Sequence, residues 1–450
     1  MANHAKRLVM STLTARSRCF STEKAPETAA SLFRKLAAVT TTDGGIADTL
    51  DEWVKQGNNT KRYNIIGCVN QLRKFKKYHH ALQIYEWMEK GKIKMNNVDH
   101  AVCIDLLAKT KGVSSAEEYF NNLEESSKTL KTYGALLSCY CKEKMIDEAA
   151  DLFEKIKELS FASTLNYNNV MSLYLSIGEP DKVLLLAKEM EGAKIAADKY
   201  TYNHLMKGFA SMKEYDAAEG VLERMRKDKV TPDWFTYVNL AAIYVDAGLI
   251  DKANATLQKL GSMRNVHDCE AYHSLIYLYA RLSDLSGVNR AWESLKLAFP
   301  KKPKNVSYLV MLSALLKLDD VNGLQKCFSE WESGCSTYDV RLANVILESY
   351  LNRNMIEEAN ALYENMGSRE VEPNLRTLDL FMNYYLSNHQ RKLALEFFEM
   401  GVTKVCSEKI KGFPTDQTVN KFLELLDEEK DEEAAEKFRE RVKEIEHLRT

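Results

Sequence analysis

Along this chain the apolar positions recur on two scales. Small or aliphatic residues stand at Ala81, Ala116, Ala149, Val183, Ala218, Ala253, Val288, Leu324, Ala359 and Ala394, with gaps of 33 to 36 residues. Seven residues beyond the first nine stand Met88, Leu123, Ile156, Met190, Met225, Leu260, Leu295, Trp331 and Met366. A step this regular marks a tandem repeat, and it has to be read before any single element. Rare residues keep the same beat. Pro232, Pro303 and Pro373 lie 71 and 70 apart, and Gly178 and Gly248 lie 70 apart, which is twice 35.

Within each step a shorter period appears. In residues 199–233 one apolar series runs through Tyr202, Leu205, Met206 and Phe209, and a second through Tyr215, Ala218, Val221, Leu222 and Met225. Both have the i, i+3, i+4, i+7 spacing of a helix with one buried face. Lys and Asp residues close the second helix, with Pro232 as its stop. One such hairpin cannot bury its apolar face alone, whereas stacked hairpins can. The expected fold is all-α, a right-handed α-solenoid superhelix of about ten helix-turn-helix repeats of 35 residues with helical caps. The units start near Arg62, Asn97, Leu130, Thr164, Lys199, Trp234, Cys269, Asn305, Val340 and Leu375. The array fills residues 62–410, behind an N-terminal linker and helical cap at 21–61. A degenerate repeat and a charged, solvated cap helix occupy 411–450.

Composition agrees and excludes several classes. A length of 450 residues would ordinarily imply about three domains. A continuous solenoid removes that division. Only 7 Pro and 19 Gly leave few sharp turns. Mean hydropathy is −0.37 and no apolar run approaches membrane-spanning length, so no membrane insertion is expected. The 9 Cys have no metal-ligand spacing. Cys139 and Cys141 lie two apart on a helix and read as core. His79 and His80 precede a second helix and read as capping or surface residues, and His100 reads as a packed ring. The acidic run Asp427–Glu433 reads as a solvated face. No catalytic, phosphate-loop or zinc motif is present, so neither an enzyme nor a cofactor is expected.

Residues 1–20 contain no acidic residue but hold Lys6, Arg7, Arg16 and Arg18 among several Ser and Thr. That is the pattern of an organellar transit peptide. Arg18-Cys19-Phe20 before Ser21 resembles the cleavage pattern of plant mitochondrial presequences. A mitochondrial address is therefore expected, with a chloroplast as the alternative. Loss of those four positive charges would take the net charge from −2 to −6.

The residues at the unit boundaries are specific. Asp198-Lys-Tyr-Thr-Tyr-Asn203, Pro232-Asp233-Trp-Phe-Thr-Tyr237 and Gly248-Leu-Ile-Asp-Lys-Ala253 closely resemble the pentatricopeptide repeat pattern. The tetratricopeptide alternative, with a Trp, Gly and Tyr pattern in its first helix, is not seen. The resemblance implies a plain, P-type protein of plant organelles that binds single-stranded RNA at one base per repeat. It further implies action in RNA stabilisation, processing, splicing or translation, without chemistry of its own. The family's reading pair is the residue after Thr-Tyr and the last residue of the unit, and the second residue of the unit stacks on the base. Carried over, this gives Leu165, Asn168 and Asp198, then Tyr200, Asn203 and Asp233, both resembling a uridine pair. Phe235, Val238 and Asp268 keep the stacking residue and carboxylate but lack the amide. Asn344 and Asn374 resemble a pyrimidine pair, with Arg341 in place of the stacking residue. Ile66/Asn96, Ala101/Thr129, Gly134/Ser163, His273/Lys304 and Leu309/Asp339 do not match a reading pair. These units, with the acidic charge, motivate the alternative of a protein–protein scaffold associated with an organellar ribosome or another complex.

Overall fold

The computed structural model describes residues 29–39, 45–58, 62–263, 268–301, 303–335, 337–408, 413–428 and 430–445. The expected transit peptide at 1–20 lies outside them. Among the described residues there are 24 α-helices and no strand. The chain forms two compact units, residues 1–204 and 205–450.

In the first unit, α1 (Ala29–Ala38) and α2 (Gly45–Lys55) form the cap hairpin. Four repeats follow: α3 (Arg62–Lys74) with α4 (Tyr78–Lys90), α5 (Asn97–Lys111) with α6 (Val113–Asn121), α7 (Leu130–Lys142) with α8 (Ile146–Glu158), and α9 (Thr164–Ser176) with α10 (Pro180–Gly192). Helix α11 (Lys199–Ser211) contains the division between the units, and α12 (Tyr215–Lys227) follows it. The second unit continues with α13 (Trp234–Asp246), α14 (Ile250–Gly261), α15 (Cys269–Arg281), α16 (Leu285–Ala298), α17 (Asn305–Lys317) and α18 (Val321–Glu332). It ends with α19 (Val340–Asn352), α20 (Ile356–Ser368), α21 (Leu375–Ser387), α22 (Arg391–Glu408), α23 (Asp416–Glu428) and α24 (Glu432–Glu444). All ten first helices begin at the residue where the period placed a unit start.

Most first helices pack on their own second helix and on the first helix of the next repeat, as α5 does on α6 and α7 and α17 does on α18 and α19. The cap obeys the same rule, with α1 on α3 and α2 on α4. The ten step residues from Ala81 to Ala394 have no exposed surface at all. A small side chain is needed there because two helices approach closely, and close-packed interiors leave no slack. Eight of the nine residues at the following position are buried. Leu123 is the exception, because α6 ends at Asn121 and a 3₁₀ turn, Glu125–Ser127, follows.

The turns inside the hairpins repeat as faithfully as the core. Lys76, Gly112, Lys144, Gly178, Lys213, Gly248, Ser283, Asp319, Asn354 and His389 all have positive φ. Each sits just past a first helix, where a left-handed residue lets orphan carbonyls find partners. Glycine takes this conformation freely, whereas a lysine side chain is strained there. Replacing Lys76 (φ 58°) by Gly is accordingly expected to stabilise the fold by about 0.5–1 kcal/mol, read as a shift in the urea midpoint.

Three details differ from the expectations. Helix α12 ends at Lys227, and Lys229 turns left-handed with φ 58°, so the chain leaves the helix before Pro232. Helix α4 begins at Tyr78 and so includes both histidines. His80 is buried and its Nε2 meets the Val39 carbonyl at 2.9 Å, holding the cap to the first repeat. The last helix is not merely solvated. Ala435, Phe438 and Val442 of α24 are buried, and Phe438 stacks on Phe422 at 4.2 Å. The charges occupy its other face.

Candidate nucleic-acid interface

The last residue of most repeats, Lys304 excepted, has a local duty that follows from helix chemistry. It is the N-cap of the next first helix, where side-chain oxygens satisfy otherwise orphaned backbone N–H groups. Asp233 accepts from the Thr236 N–H at 3.1 Å, Asp268 from Glu270 at 3.0 Å, Asp339 from Arg341 at 3.2 Å, and Asn374 from Thr377 at 3.0 Å. The third residue of the helix completes a capping box. Thr201 Oγ1 accepts the Asp198 N–H at 3.1 Å, and Thr132 Oγ1 accepts that of Thr129 at 2.8 Å. The Thr of the Thr-Tyr-Asn signature is therefore a buried member of the cap at Thr201 and Thr236, and the Tyr at the next position is core at Tyr167, Tyr202, Tyr237 and Tyr308.

Two reading pairs are brought together. Asn168 is 7% exposed, and its Nδ2 donates to Asp198 Oδ1 at 3.0 Å. Asn344 is 5% exposed, and its Nδ2 donates to Asn374 Oδ1 at 3.0 Å. Asn203 is equally buried, and neither of its amide atoms has a hydrogen-bond partner among the described residues. Burying an amide without partners is costly, so this side chain is left with unmet donors and an unmet acceptor. Asp233 caps α13, and Val238 is half-buried on the same helix. Asp268 caps α15.

The stacking positions face solvent. Leu165 is 64% exposed, Tyr200 52% and Phe235 36%. Three residues outside the candidate set share this place in their repeats. Tyr63, Val98 and Val306 are also large, apolar and exposed. The signal that finds them is the second position taken alone, without the pair. Arg341 differs: its guanidinium is drawn back onto Asp339, with Nη2 to Oδ2 at 2.7 Å, and this pairing holds the Asp339 carboxyl below its ordinary range.

Charge on the first helices is largely paired. Arg281 meets Asp246 at 2.6 Å and Arg376 meets Glu348 at 3.0 Å. In the first unit Asp105 lies among three cations, Lys109 at 2.8 Å, Arg73 at 3.1 Å and Lys142 at 3.6 Å. Burial pushes the Asp105 carboxyl up, but the hydrogen bond from Lys109 and its neighbouring cations outweigh it and hold the carboxyl low. That leaves a locally positive spot drawn from α3, α5 and α7, which the reader pairs gave no reason to single out.

Burial raises Cys139 to about 11 and Cys141 to about 12, which keeps both thiols protonated. Among the described residues no group of His, Cys, Asp and Glu could hold a metal ion, and no helix is long and apolar enough to cross a membrane.

Capped helical hairpins in tandem, several with an exposed second-position side chain and a buried polar fifth residue beside the next cap, define a helical-repeat protein. Family models described as the pentatricopeptide repeat domain and the PPR repeat match residues 185–247 and residues 131–161 and 166–195. A mitochondrial pentatricopeptide repeat-containing protein of Arabidopsis thaliana is 38% identical over 410 residues, covering 90% of this chain and 76% of the relative. The large ribosomal subunit protein mL101 of Arabidopsis thaliana is 37% identical over 407 residues, covering 89% and 83%. The crystal structure of the pentatricopeptide repeat protein PPR10 in complex with an 18-nt psaJ RNA element aligns with a TM-score of 0.47 at 18% identity, covering 92% of this chain and 66% of that one. The chain belongs to the pentatricopeptide repeat family.

Proposed function

We propose that this protein binds single-stranded RNA in mitochondria, reading bases through its repeats, and acts in RNA stabilisation, processing, splicing or translation without chemistry of its own. One observation carries the reading: Asn168, held by Asp198, lies in a repeat that opens on exposed Leu165, and the next opens on exposed Tyr200. A held amide presents a donor and an acceptor to a base edge, and flanking apolar side chains supply faces on which bases stack. Within the second unit, Asn344 held by Asn374 repeats the arrangement, and Phe235, Val238 and Asp268 remain candidate contacts, as do Asn203 and Asp233 by their places in the repeat. Stacking is worth about 1–3 kcal/mol per base. A micromolar complex needs about 8 kcal/mol net. The exposed residues Tyr63, Val98 and Val306 raise the number of stacking faces, and the cations around Asp105 add phosphate attraction. The mitochondrial location is supported by the acid-free stretch at residues 1–20 and by mitochondrial relatives.

The test is a titration of the full chain on oligo(U) and oligo(C) single strands. Tighter binding to oligo(U) is expected. Asn168→Ala combined with Asn203→Ala should weaken oligo(U) binding about tenfold or more and remove the preference. Equal affinity for both strands, unmoved by the double substitution, defeats base reading.

A second reading, a protein–protein scaffold, is favoured by the similarity to mL101, a ribosomal protein. Crosslinking in the organelle separates the two. RNA adducts along the first helices support the first reading, and protein-only adducts support the second.

A further inference from the structure

The reading side chains do not stand alone, and what holds them comes from the following repeat. Thr201, the third residue of α11, donates its hydroxyl to Asn168 Oδ1 at 2.8 Å. Thr377, at the same place in α21, donates to Asn344 Oδ1 at 2.7 Å. The direction of the amide is set by its surroundings. Asp198 has only acceptors, so Asn168 must turn its NH₂ toward it and its carbonyl toward Thr201. Thr201 Oγ1 accepts the Asp198 N–H at 3.1 Å, and of the two acceptors within reach of its own proton Asn168 Oδ1, at 2.8 Å, is nearer than Asp198 Oδ1, at 3.1 Å. At the other site the Asn374 N–H reaches Thr377 Oγ1 at 3.3 Å. Each amide is thereby gripped on both sides, with one N–H and one carbonyl lone pair left over.

The same grip recurs where the reading residue is not an amide. Ser307 Oγ lies 2.9 Å from His273 Nε2, and Thr418 donates to Asp379 Oδ1 at 3.0 Å. The sequence keeps the two positions matched. Every repeat with a polar fifth residue is followed by a hydroxyl at the third position of the next: Asn168 by Thr201, Asn203 by Thr236, His273 by Ser307, Asn344 by Thr377, and Asp379 by Thr418. Where the fifth residue is apolar the hydroxyl is mostly gone: Ile66 is followed by Asp99, Gly134 by Asn166, Val238 by Ala271 and Leu309 by Leu342, with Ala101 and Thr132 as the exception. Capping alone does not account for this match, because every first helix needs a cap whatever precedes it.

At Asn203 the match is one of sequence only, since neither amide atom finds a partner among the described residues. We infer that the third-position hydroxyls of Thr201 and Thr377 are positioning residues for base reading by the repeats before them, so that each of these readers is built across the junction of two repeats. The inference rests on RNA reading as proposed above. Terminal amide torsions are broad and weakly held on their own. The hydroxyl takes one lone pair of the buried carbonyl and fixes the plane of the amide, and with it the direction of the remaining donor and acceptor. By the same rule, the repeats opening at Cys269 and Leu375 also present held polar groups, His273 and Asp379.

The experiment compares oligo(U) and oligo(C) affinities for the full chain and for Thr201→Val, Thr201→Ser, Asn168→Ala and Asn168→Ala with Thr201→Val. Valine keeps the shape of threonine without its hydroxyl. Thr201→Val is expected to lower the U-over-C preference about threefold to tenfold, and Thr201→Ser to retain it. In the Asn168→Ala background, Thr201→Val should change the preference no further, since a positioning residue has nothing left to position. Thr377→Val repeats the test in the second unit and covers the case in which one variant fails to fold. A wild-type preference that survives both valine substitutions, or a Thr201→Val effect of equal size without Asn168, overturns this inference alone. A wild-type chain with no preference overturns base reading and the inference together.

Discussion

Trp331→Ala is expected to destabilise the second unit by about 3–5 kcal/mol, the range for removing a large buried aromatic side chain. The indole is 1% exposed and packs between Phe328, at 5.4 Å between ring centroids, and Tyr338, at 5.1 Å. Its N–H donates to Asn305 Oδ1 at 2.9 Å, and Asn305 in turn donates to Asp339 Oδ2 at 3.3 Å. The substitution therefore leaves a cavity and also frees the residue that steadies a helix cap. Trp331→Phe keeps most of the volume and loses the hydrogen bond, so about 1–2 kcal/mol is expected. Because a repeat contacts mainly its neighbours, the loss should be local before it is global. Hydrogen exchange should accelerate first in α17, α18 and α19, while the amides of α3–α8 keep their protection. Uniform acceleration along the chain, or a urea midpoint that does not move, would contradict this account.

Trp331 also shows why so much of the fold could be read from sequence. It stands seven residues beyond Leu324 in the 35-residue step, and that step requires a buried side chain whatever its identity. Periodicity averages over ten copies, so unit starts emerged at the residue level although element ends are ordinarily the least certain feature. Reading failed where one copy departs from the others. Leu123 follows the step in sequence but falls beyond the shortened α6. His80 reads from sequence as a capping or surface residue because its partner, the Val39 carbonyl, lies 41 residues away and no local pattern announces it. The site was legible as pairs and illegible as networks. Asn168 and Asp198 can be matched by register, but Thr201 enters the sequence reading only as part of the Thr-Tyr-Asn signature. Its second hydrogen bond crosses a repeat boundary, and only coordinates reveal it. Tyr63 and Val98 were passed over because exposure, which makes an apolar side chain a stacking face, is not written in residue type.

The other large effect is expected at Asp99, where the third position of a repeat carries a carboxylate instead of a hydroxyl. Asp99 is 2% exposed. Its oxygens receive the Asn96 N–H at 2.8 Å, the Tyr85 hydroxyl at 3.4 Å and the guanidinium of Arg62. The preceding repeat has Ile66 at its fifth position, which needs no orienting hydroxyl, and the third position has turned to another task. It ties the opening residue of α3 to the start of α5, coupling the first two repeats through charge. Asp99→Leu would leave three donors facing an apolar side chain. Arg62 retains access to water, with 41% of its side chain exposed, which softens the penalty. A loss of about 2–4 kcal/mol is expected in urea unfolding of the first unit. Asp99→Thr restores the hydroxyl found at Thr132 and Thr201 and should cost only about 1–2 kcal/mol, because the cap survives and only the link to Arg62 is lost. Raising salt should narrow the gap between wild type and Asp99→Thr, since an ion pair open to water on one side is screened. Equal stability of wild type and Asp99→Leu would show that the carboxylate caps nothing and couples nothing.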